Sequence, residues 1–268
     1  NDFPDGIRAL IDAKAGINGR DVYGQTALLF AAQYCRVECV RLLIAARASL
    51  ETKDFFKGST ALSKAIEKGH TEFVRLLIDA KANIEAKDKL GFTGLIRASQ
   101  LDQSECLQAL IDARANIEAK TLDGANSLFW AVRKGHADCV KVLIDAKANI
   151  AVKDREGFSP LVFAASEGHA QCLQLLIDAR ADIDSPGPEG KTLLFWASNH
   201  TDPQCVRILV EAKASFDPTS RHGEVVLAAV RRANNDVMEQ LLLSAVPSPP
   251  AETLTVNSLN ISSMFITE

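Results

Sequence analysis

Six cysteines are the residues of this sequence that could most directly carry chemistry, as metal ligands, nucleophiles or disulfide partners. Five of them share one place in a repeating pattern, fifteen residues after a glycine: Cys39, Cys106, Cys139, Cys172 and Cys205. Phe73 and Met238 fill that place in two other segments, and a position that accepts Phe, Met or Cys is an apolar packing position. Equivalent atoms of stacked helices lie about 10 Å apart, whereas a disulfide needs Cα atoms within about 7 Å. We therefore expect buried, reduced thiols, which favours an intracellular, cytoplasmic location; Cys35 is outside the series and is expected in a loop.

Histidine and carboxylate patterns give no support to catalysis. Three histidines follow a glycine, at Gly69-His70, Gly135-His136 and Gly168-His169, and their even spacing keeps them too far apart to share a metal ion. The sequence has no phosphate-binding loop and no Gly-x-Ser-x-Gly motif. It also has no histidine, cysteine or carboxylate cluster outside the repeating pattern. We therefore predict that the protein is not an enzyme and has no catalytic residue, cofactor or metal site.

Composition narrows the class of partner. With 47% hydrophobic and 24% charged residues the chain is a globular type. Its formal net charge of −4 gives no broad attraction to nucleic acid or to anionic membranes. No apolar run approaches the roughly 20 residues of a membrane span. Nucleic-acid binding and membrane insertion are accordingly not expected.

A regular series of glycines sets the architecture that must position these residues. One interval of 34 residues and five intervals of 33 residues separate Gly24, Gly58, Gly91, Gly124, Gly157, Gly190 and Gly223. Such a period indicates one supersecondary unit copied many times, with contacts mainly between neighbouring copies.

The segment from Asp154 to Asp184 shows the unit most clearly. It opens with a turn at Gly157, and Ser159-Pro160 then suits the capped first turn of a short helix. Gly168-His169 interrupts the chain before a second helix with apolar residues at helical spacing. Each unit is therefore predicted to be a turn followed by two antiparallel helices.

These residues resemble the ankyrin repeat family, whose T-P-L-H-x-A signature is matched at Ser159, Pro160, Leu161 and Ala164 after the turn glycine. The signature leucine recurs at Leu28, Leu62, Leu95, Leu128, Leu161, Leu194 and Leu227. The resemblance implies an all-α ankyrin-repeat solenoid of stacked helix-turn-helix units with short turn or hairpin loops. It comprises about seven repeats after an N-terminal half repeat. We expect the repeat domain at 1–245, with the half repeat at 5–20 and repeats starting near 21, 54, 88, 121, 154, 187 and 220. Residues 246–268 are expected to be a Pro-rich linker and a non-repeat tail.

The chain departs from the family pattern in two ways. The signature histidine is absent from every repeat. The family's glycine after the second helix is replaced by a cation at Arg47, Lys81, Arg114, Lys147, Arg180 and Lys213. If these residues keep a left-handed backbone, each costs on the order of 1 kcal/mol. The last repeat carries Arg231, Arg232 and Glu239 at positions that are usually apolar or small, which is typical of a terminal cap.

The resemblance also implies which face binds partners, because in ankyrin arrays the turn tips and first helices line a concave groove. Carried over by position, the candidate groove residues are Tyr23, Phe30, Tyr34, Phe56, Leu90, Phe92, Arg97, Leu101, Trp130, Arg133, Phe158, Phe163, Trp196 and His200. Aromatic residues at helical spacing more often pack in a core, and Phe129 and Phe195 are interpreted that way. For Trp130, Phe163 and Trp196 we favour a binding role, since clustered tryptophan and arginine carry much interface energy.

Acids and lysines also recur in the loops between repeats: Glu51, Glu85, Glu118 and Lys53, Lys87, Lys120, Lys153. They are expected to form a solvated edge with weak ion pairs between repeats, each under about 1 kcal/mol.

Two functions remain open. The first is a monomeric scaffold or adaptor that binds a protein or peptide partner in the groove. The alternative is a regulatory or targeting region of a larger enzyme or channel, which the incomplete first repeat favours. The tail at 246–268 is apolar enough to suggest that it folds back into the groove as the chain's own ligand, and disorder is the other interpretation.

Overall fold

The computed structural model describes residues 4–200, 202–232 and 235–244, and these form fifteen α-helices and no strand. α1 (Pro4–Asp12) stands alone at the start. The first helices of the following pairs are α2 (Ala27–Gln33), α4 (Ala61–Glu67), α6 (Gly94–Gln100), α8 (Ser127–Arg133), α10 (Pro160–Ser166), α12 (Leu193–Ser198) and α14 (Arg221–Arg232). The second helices are α3 (Val37–Ala45), α5 (Thr71–Asp79), α7 (Ser104–Asp112), α9 (Ala137–Asp145), α11 (Ala170–Asp178), α13 (Gln204–Glu211) and α15 (Asp236–Ser244). A short 3-10 helix, Pro188–Gly190, lies before α12.

The helices stack in two layers. Each first helix packs on the first helix of the next pair, from α2 on α4 through to α12 on α14. Each second helix does the same, from α1 on α3 through to α13 on α15. This arrangement of a single helix followed by seven pairs confirms the all-α repeat solenoid. None of the helices in the described ranges has the length and apolar character needed to cross a membrane.

Capping residues fix where the first helices begin. Thr60 is in extended conformation, and its hydroxyl accepts the backbone N–H of Ser63, which satisfies one of the free donors of the first turn. Five further repeats use the same device with Thr26, Thr93, Asn126, Ser159 and Thr192. Each cap contributes about 1 kcal/mol to its helix.

The second helices end at cations that keep the left-handed backbone of the glycine they replace. All six cations are left-handed, with φ between 59° and 67°: Arg47, Lys81, Arg114, Lys147, Arg180 and Lys213. In α9, Lys147 N–H donates to the Ile144 carbonyl and Ala148 N–H to the Leu143 carbonyl. These two bonds form a Schellman motif, in which the left-handed residue is usually glycine.

The last repeat differs from the regular pattern. Gly223 lies inside α14 and does not have the positive φ of the six earlier glycines in the series. A Cβ atom added at Gly223 would overlap the carbonyl oxygen of Asp217, so close backbone approach is what requires glycine there. α14 is consequently twelve residues long and begins where a turn was expected.

Candidate functional site

We call the groove face the surface made by the turn tips and by the exposed positions of the first helices. It includes the predicted site residues, from Tyr23 in the first repeat to His200 in the sixth. In repeats 1, 2, 3 and 5 the tip is closed by its opening aspartate; Asp88 Oδ1, for example, accepts the N–H groups of Leu90 and Phe92. Successive tips are joined by backbone hydrogen bonds, such as Lys89 N–H to the Lys57 carbonyl at 2.9 Å. The tips therefore form a ladder across the repeats that holds their side chains in register.

Four of the predicted site residues form an exposed cluster in the first two repeats, the N-terminal aromatic patch: Tyr23, Phe30, Tyr34 and Phe56. Their side chains are 49 to 66% exposed, although all four are aromatic. The rings meet in pairs, with centroids 5.6 Å apart for Tyr23 and Phe56 and 4.5 Å apart for Phe30 and Tyr34. Leu90 and Leu101 of the third repeat are also exposed.

The remaining predicted aromatic residues are more buried and pack across repeats. Phe92, a predicted groove residue, is only 6% exposed and therefore offers a partner very little surface. Its ring lies 5.0 Å from the ring of Trp130 in the next repeat and 4.2 Å from the Arg97 guanidinium. The equivalent tip residue of the fifth repeat, Phe158, is half-buried and lies 5.4 Å from the ring of Trp196.

The tryptophans are half-buried rather than presented to solvent. Trp130 Nε1 and Trp196 Nε1 are both buried and have no hydrogen-bond acceptor in the part of the chain that is described. A Cβ atom added at Gly187 would lie 2.8 Å from Trp196 Nε1, so this glycine makes room for the indole. Phe163 is half-buried between Phe129 and Phe158, at 5.0 and 5.1 Å. Phe129 is fully buried, as expected, and Phe195 is half-buried.

Buried ion pairs, which the sequence analysis missed, join the tips to the first helices in repeats 2 and 3. Lys64 Nζ lies 2.8 Å from Asp54 Oδ2, with the side chains only 12% and 3% exposed. Arg97 pairs with Asp88 in the same way, and it also lies 3.9 Å from Glu67. Burial raises the pKa of Asp54, but hydrogen bonds from Lys64 and the Ser59 N–H and the Lys64 charge outweigh it and hold the pKa below its ordinary value. Arg97 is therefore engaged inside the protein.

A detectable signal for these pairs exists in the sequence. Repeats 2 and 3 combine an aspartate at the start of the turn with a cation six residues after the tip glycine. Repeats 1 and 5 have the aspartate, at Asp21 and Asp154, but carry Phe30 and Phe163 at the second position.

Other cations on the groove face remain available. Lys68, Arg133 and Lys134 are exposed and form no ion pair with any residue that the structure describes. The Arg133 guanidinium lies over two aromatic rings, 5.0 Å from the centroid of Trp130 and 5.3 Å from that of Phe163. The half-buried rings of Trp130 and Phe163 thus hold the Arg133 guanidinium by cation–π contacts on the side that faces the protein.

Between the first two repeats the groove face contains an open pocket of about 260 Å³. Phe56 gives it an apolar wall, and Gln25 and Gln33 supply amide groups. Lys57, Lys64 and Lys68 face Asp54 and Glu67 in its lining, and Lys57 lies 3.1 Å from Glu67. His200, at the far end of the predicted site, instead covers Gly168 of the preceding repeat.

The acids and lysines of the inter-repeat loops bond mainly to backbone and not to each other. Glu51 Oε1 accepts the N–H of Asn83 in the next repeat at 2.8 Å, and Glu85 and Glu118 do the same one repeat further along each time. Lys53 Nζ donates to the Lys87 carbonyl at 2.7 Å. The expected weak ion pairs are thus replaced by charge-assisted hydrogen bonds, which are about twice as strong as neutral ones.

The thiols of the cysteine series are packing groups. The five cysteines of the series are buried and reduced, and Cys35 is exposed. Burial raises the pKa of Cys139 to about 12 and the pKa values of Cys172 and Cys205 to about 11, so these thiols are protonated at neutral pH. The described residues contain no cluster of three or more potential ligands that could hold a metal ion.

The fold and this face define a class of protein, the helical repeat solenoids that present a row of turn tips. Family models for ankyrin repeats match residues 49–121 and 95–187, and a second such model matches 4–44. The chain therefore belongs to the ankyrin repeat family, and ankyrin repeat domains in general act as non-catalytic scaffolds for protein–protein interaction.

Solved structures agree with this assignment. The ankyrin repeat domain of human ASB11 has a TM-score of 0.73 at 23% sequence identity, covering 85% of this chain and 100% of that one. The ankyrin repeat domain of Bcl-3, described as a unique member of the IkappaB protein family, has a TM-score of 0.68 at 25% identity, covering 77% and 91%. No curated protein matches the sequence significantly.

Proposed function

We propose that this chain is an interaction scaffold or adaptor that binds a peptide or protein partner through the groove face. The observation that carries the proposal is the N-terminal aromatic patch, in which four aromatic side chains lie exposed on one face. Clustered exposed aromatic groups mark interaction surfaces, and large aromatic side chains carry much of the binding energy at interfaces. The backbone ladder of the tips keeps the patch ordered before a partner arrives, which lowers the entropic cost of binding.

The proposal includes binding rather than catalysis, a monomeric state and an intracellular, cytoplasmic location. Five buried, reduced thiols support the location, because reducing compartments preserve them. No nucleic acid is proposed as partner, since the net charge of the chain is −4. The chain's own tail stays a candidate occupant by prediction alone, because residues 246–268 lie outside the described residues.

The alternative proposal is a regulatory or targeting region within a larger enzyme or channel. Its support lies at α1, where Ile7, Leu10 and Ile11 line an open apolar pocket of about 120 Å³. Leu10 is largely exposed there, so this apolar surface is available to pack against further protein.

Selection from a random peptide library tests the groove proposal. Peptides selected on the wild-type chain are titrated against Phe30→Ser/Tyr34→Ser, which removes half of the N-terminal aromatic patch. Their Kd is expected to rise at least about tenfold. The matched control is Val237→Ser/Leu243→Ser, which changes two exposed apolar residues of α15 in the other layer.

Circular dichroism establishes that both variants keep their helices. If the selected peptides bind Phe30→Ser/Tyr34→Ser as tightly as the wild type, the partner site is not on the groove face and the proposal is wrong.

A further inference from the structure

The groove face carries cations although the chain as a whole is acidic. The net charge of the protein is −4, yet Lys68, Arg133 and Lys134 are exposed on this face without an ion pair among the described residues. The acids that face them in repeats 2 and 3 are already paired, Asp54 with Lys64 and Asp88 with Arg97. Asp102 and Asp123 of the same repeats form no ion pair with a lysine or arginine among the described residues, so the three cations leave a small positive balance for a ligand in repeats 2 to 4.

These cations alternate with apolar residues along the array. Ten residues after the tip glycine, the first four repeats carry Tyr34, Lys68, Leu101 and Lys134, and all four are exposed. All four residues are also the C-terminal cap of their first helix, as Lys134 is for α8. A cation at this place stabilises a helix, but Tyr34 and Leu101 show that the fold does not require one.

We propose that the groove face of repeats 1 to 4 binds an extended acidic protein segment in which bulky apolar and acidic side chains alternate. This inference rests on the proposed function and names the partner chemistry of the same site. Neighbouring repeats are spaced by about 10 Å, and a segment in the extended polyproline II conformation advances about 3.1 Å per residue with about three residues per turn. About three ligand residues therefore pass each repeat, and side chains three residues apart face the same side. A segment of about ten residues spans the four positions.

The spacing defines the ligand further. Apolar side chains about six residues apart would meet Tyr34 and Leu101. An acidic side chain midway between them would meet Lys68, and another about three residues beyond the second apolar side chain would meet Lys134. The pocket of about 260 Å³ beside Phe56 and Lys68 accepts one bulky side chain of such a segment. At the fourth repeat, Arg133 is held in place over Trp130 and offers its outer face to a second carboxylate.

A peptide fits this surface better than a nucleic acid strand. Phosphates recur along a strand at every nucleotide, whereas the cations here are interrupted by Leu101 and bordered by the exposed carboxylates of Asp102 and Glu167. Alternating apolar and cationic positions suit a chain whose side chains can alternate in the same way.

A charge-reversal selection tests the inference. Peptides of about twelve residues are selected in parallel on the wild-type chain and on Lys68→Glu/Lys134→Glu. Wild-type pools are expected to be enriched in Asp and Glu, spaced by about three residues from a bulky apolar residue, and the variant's pools in Lys and Arg. An acidic peptide selected on the wild type should lose at least about tenfold in affinity for Lys68→Glu/Lys134→Glu. Raising NaCl from about 50 to about 300 mM should weaken its binding to the wild type several-fold.

Arg75→Glu/Lys141→Glu is the matched control, because it makes the same change in net charge at exposed positions of the second helices. An equal loss of affinity in this control overturns the inference. So do selected peptides that depend on Phe30 and Tyr34 but show no enrichment in acids, a result that leaves the proposed function intact. A single-stranded RNA of about twelve nucleotides that binds as tightly as the peptides, and depends on Lys68 and Lys134, also overturns it. Peptide binding that is indifferent to Phe30→Ser/Tyr34→Ser counts against the proposed function itself.

Discussion

Asp54 shows how one side chain of the groove face serves both the turn and the first helix. Its Oδ1 atom accepts three backbone N–H groups, from Lys57, Gly58 and Ser59, and its Oδ2 atom receives Lys64 Nζ. The charge of Asp54 is favoured in the folded state, because its pKa is held below the ordinary value. A carboxyl with a lowered folded pKa contributes stability above its unfolded pKa, about 3.9, and that contribution is lost as the pH falls through the folded pKa.

Replacing this aspartate tests the pair. Asp54→Asn keeps an oxygen for the turn but leaves Lys64 buried without a counter-charge, and we expect the free energy of unfolding to fall by about 3 kcal/mol at neutral pH. Asp21→Asn is the control, because the same turn in repeat 1 faces Phe30 instead of a cation, and its cost should be under about 1 kcal/mol. Urea unfolding measures both.

Lowering the pH should reduce the difference in the free energy of unfolding between the wild type and Asp54→Asn. Below about pH 4 the wild-type carboxyl progressively loses its charge, so the two stabilities converge. A difference that stays constant down to about pH 2, or equal losses for Asp54→Asn and Asp21→Asn, would contradict an ion pair at this site.

Single residues were predictable where the repeat itself constrains them. The cysteine position takes Phe73 and Met238 in other repeats, which was sufficient to predict burial of the thiols. The burial of Phe92 could not be predicted in this way. It depends on Trp130 and Arg97, which cover its ring from another repeat and from the following helix, and these neighbours vary along the array.

At the scale of helices, the unusual feature is the left-handed cation that follows six of the second helices, from α3 to α13. Lys147 has φ 65° and is exposed. Lys147→Gly should raise the free energy of unfolding by about 0.5–1 kcal/mol, since glycine removes the left-handed strain while losing some entropy. Lys141→Gly, at an exposed position inside α9, should lower it by about 1 kcal/mol.

Chemical denaturation of the two variants measures whether their free energies of unfolding change in opposite directions. A loss of stability in Lys147→Gly would mean that its side chain contributes more at the helix end than the backbone strain costs, as a cation near the C-terminal dipole can.

Helix positions followed from local signals, and the exception is instructive. Gly157 and Ser159-Pro160 predicted where the first helix of repeat 5 begins, and the structure shows the same kind of cap in the five other repeats from 1 to 6. Gly223 keeps the period but lies within α14. A glycine can be required either by a positive φ or by a close backbone contact, and the sequence does not show which of the two applies. The position of the Asp217 backbone shows that a close contact is the reason here, and that position is known only from the three-dimensional structure.

For the whole molecule, the period determined the architecture and the family, while the charge pattern of the groove face emerged only from the structure. The sequence shows acids and cations in the same repeats, but not that Asp54 and Asp88 are satisfied internally. The ligand chemistry that the face can select depends on this difference between paired and unpaired charges.

Contacts between neighbours alone should make stability local along the array. α15 packs on α13 and α14 at one end, whereas α5 packs on α3, α4 and α7 in the interior. Met238→Ala and Phe73→Ala each empty the same buried position of these two helices, at a cost of about 2–5 kcal/mol. Hydrogen exchange read by mass spectrometry should then rise only within about 204–244 for Met238→Ala, but in the repeats on both sides of α5 for Phe73→Ala. Faster exchange throughout the chain in Met238→Ala would show instead that the seven repeats unfold as one cooperative unit. A substitution in any repeat would then change the stability of the entire groove face.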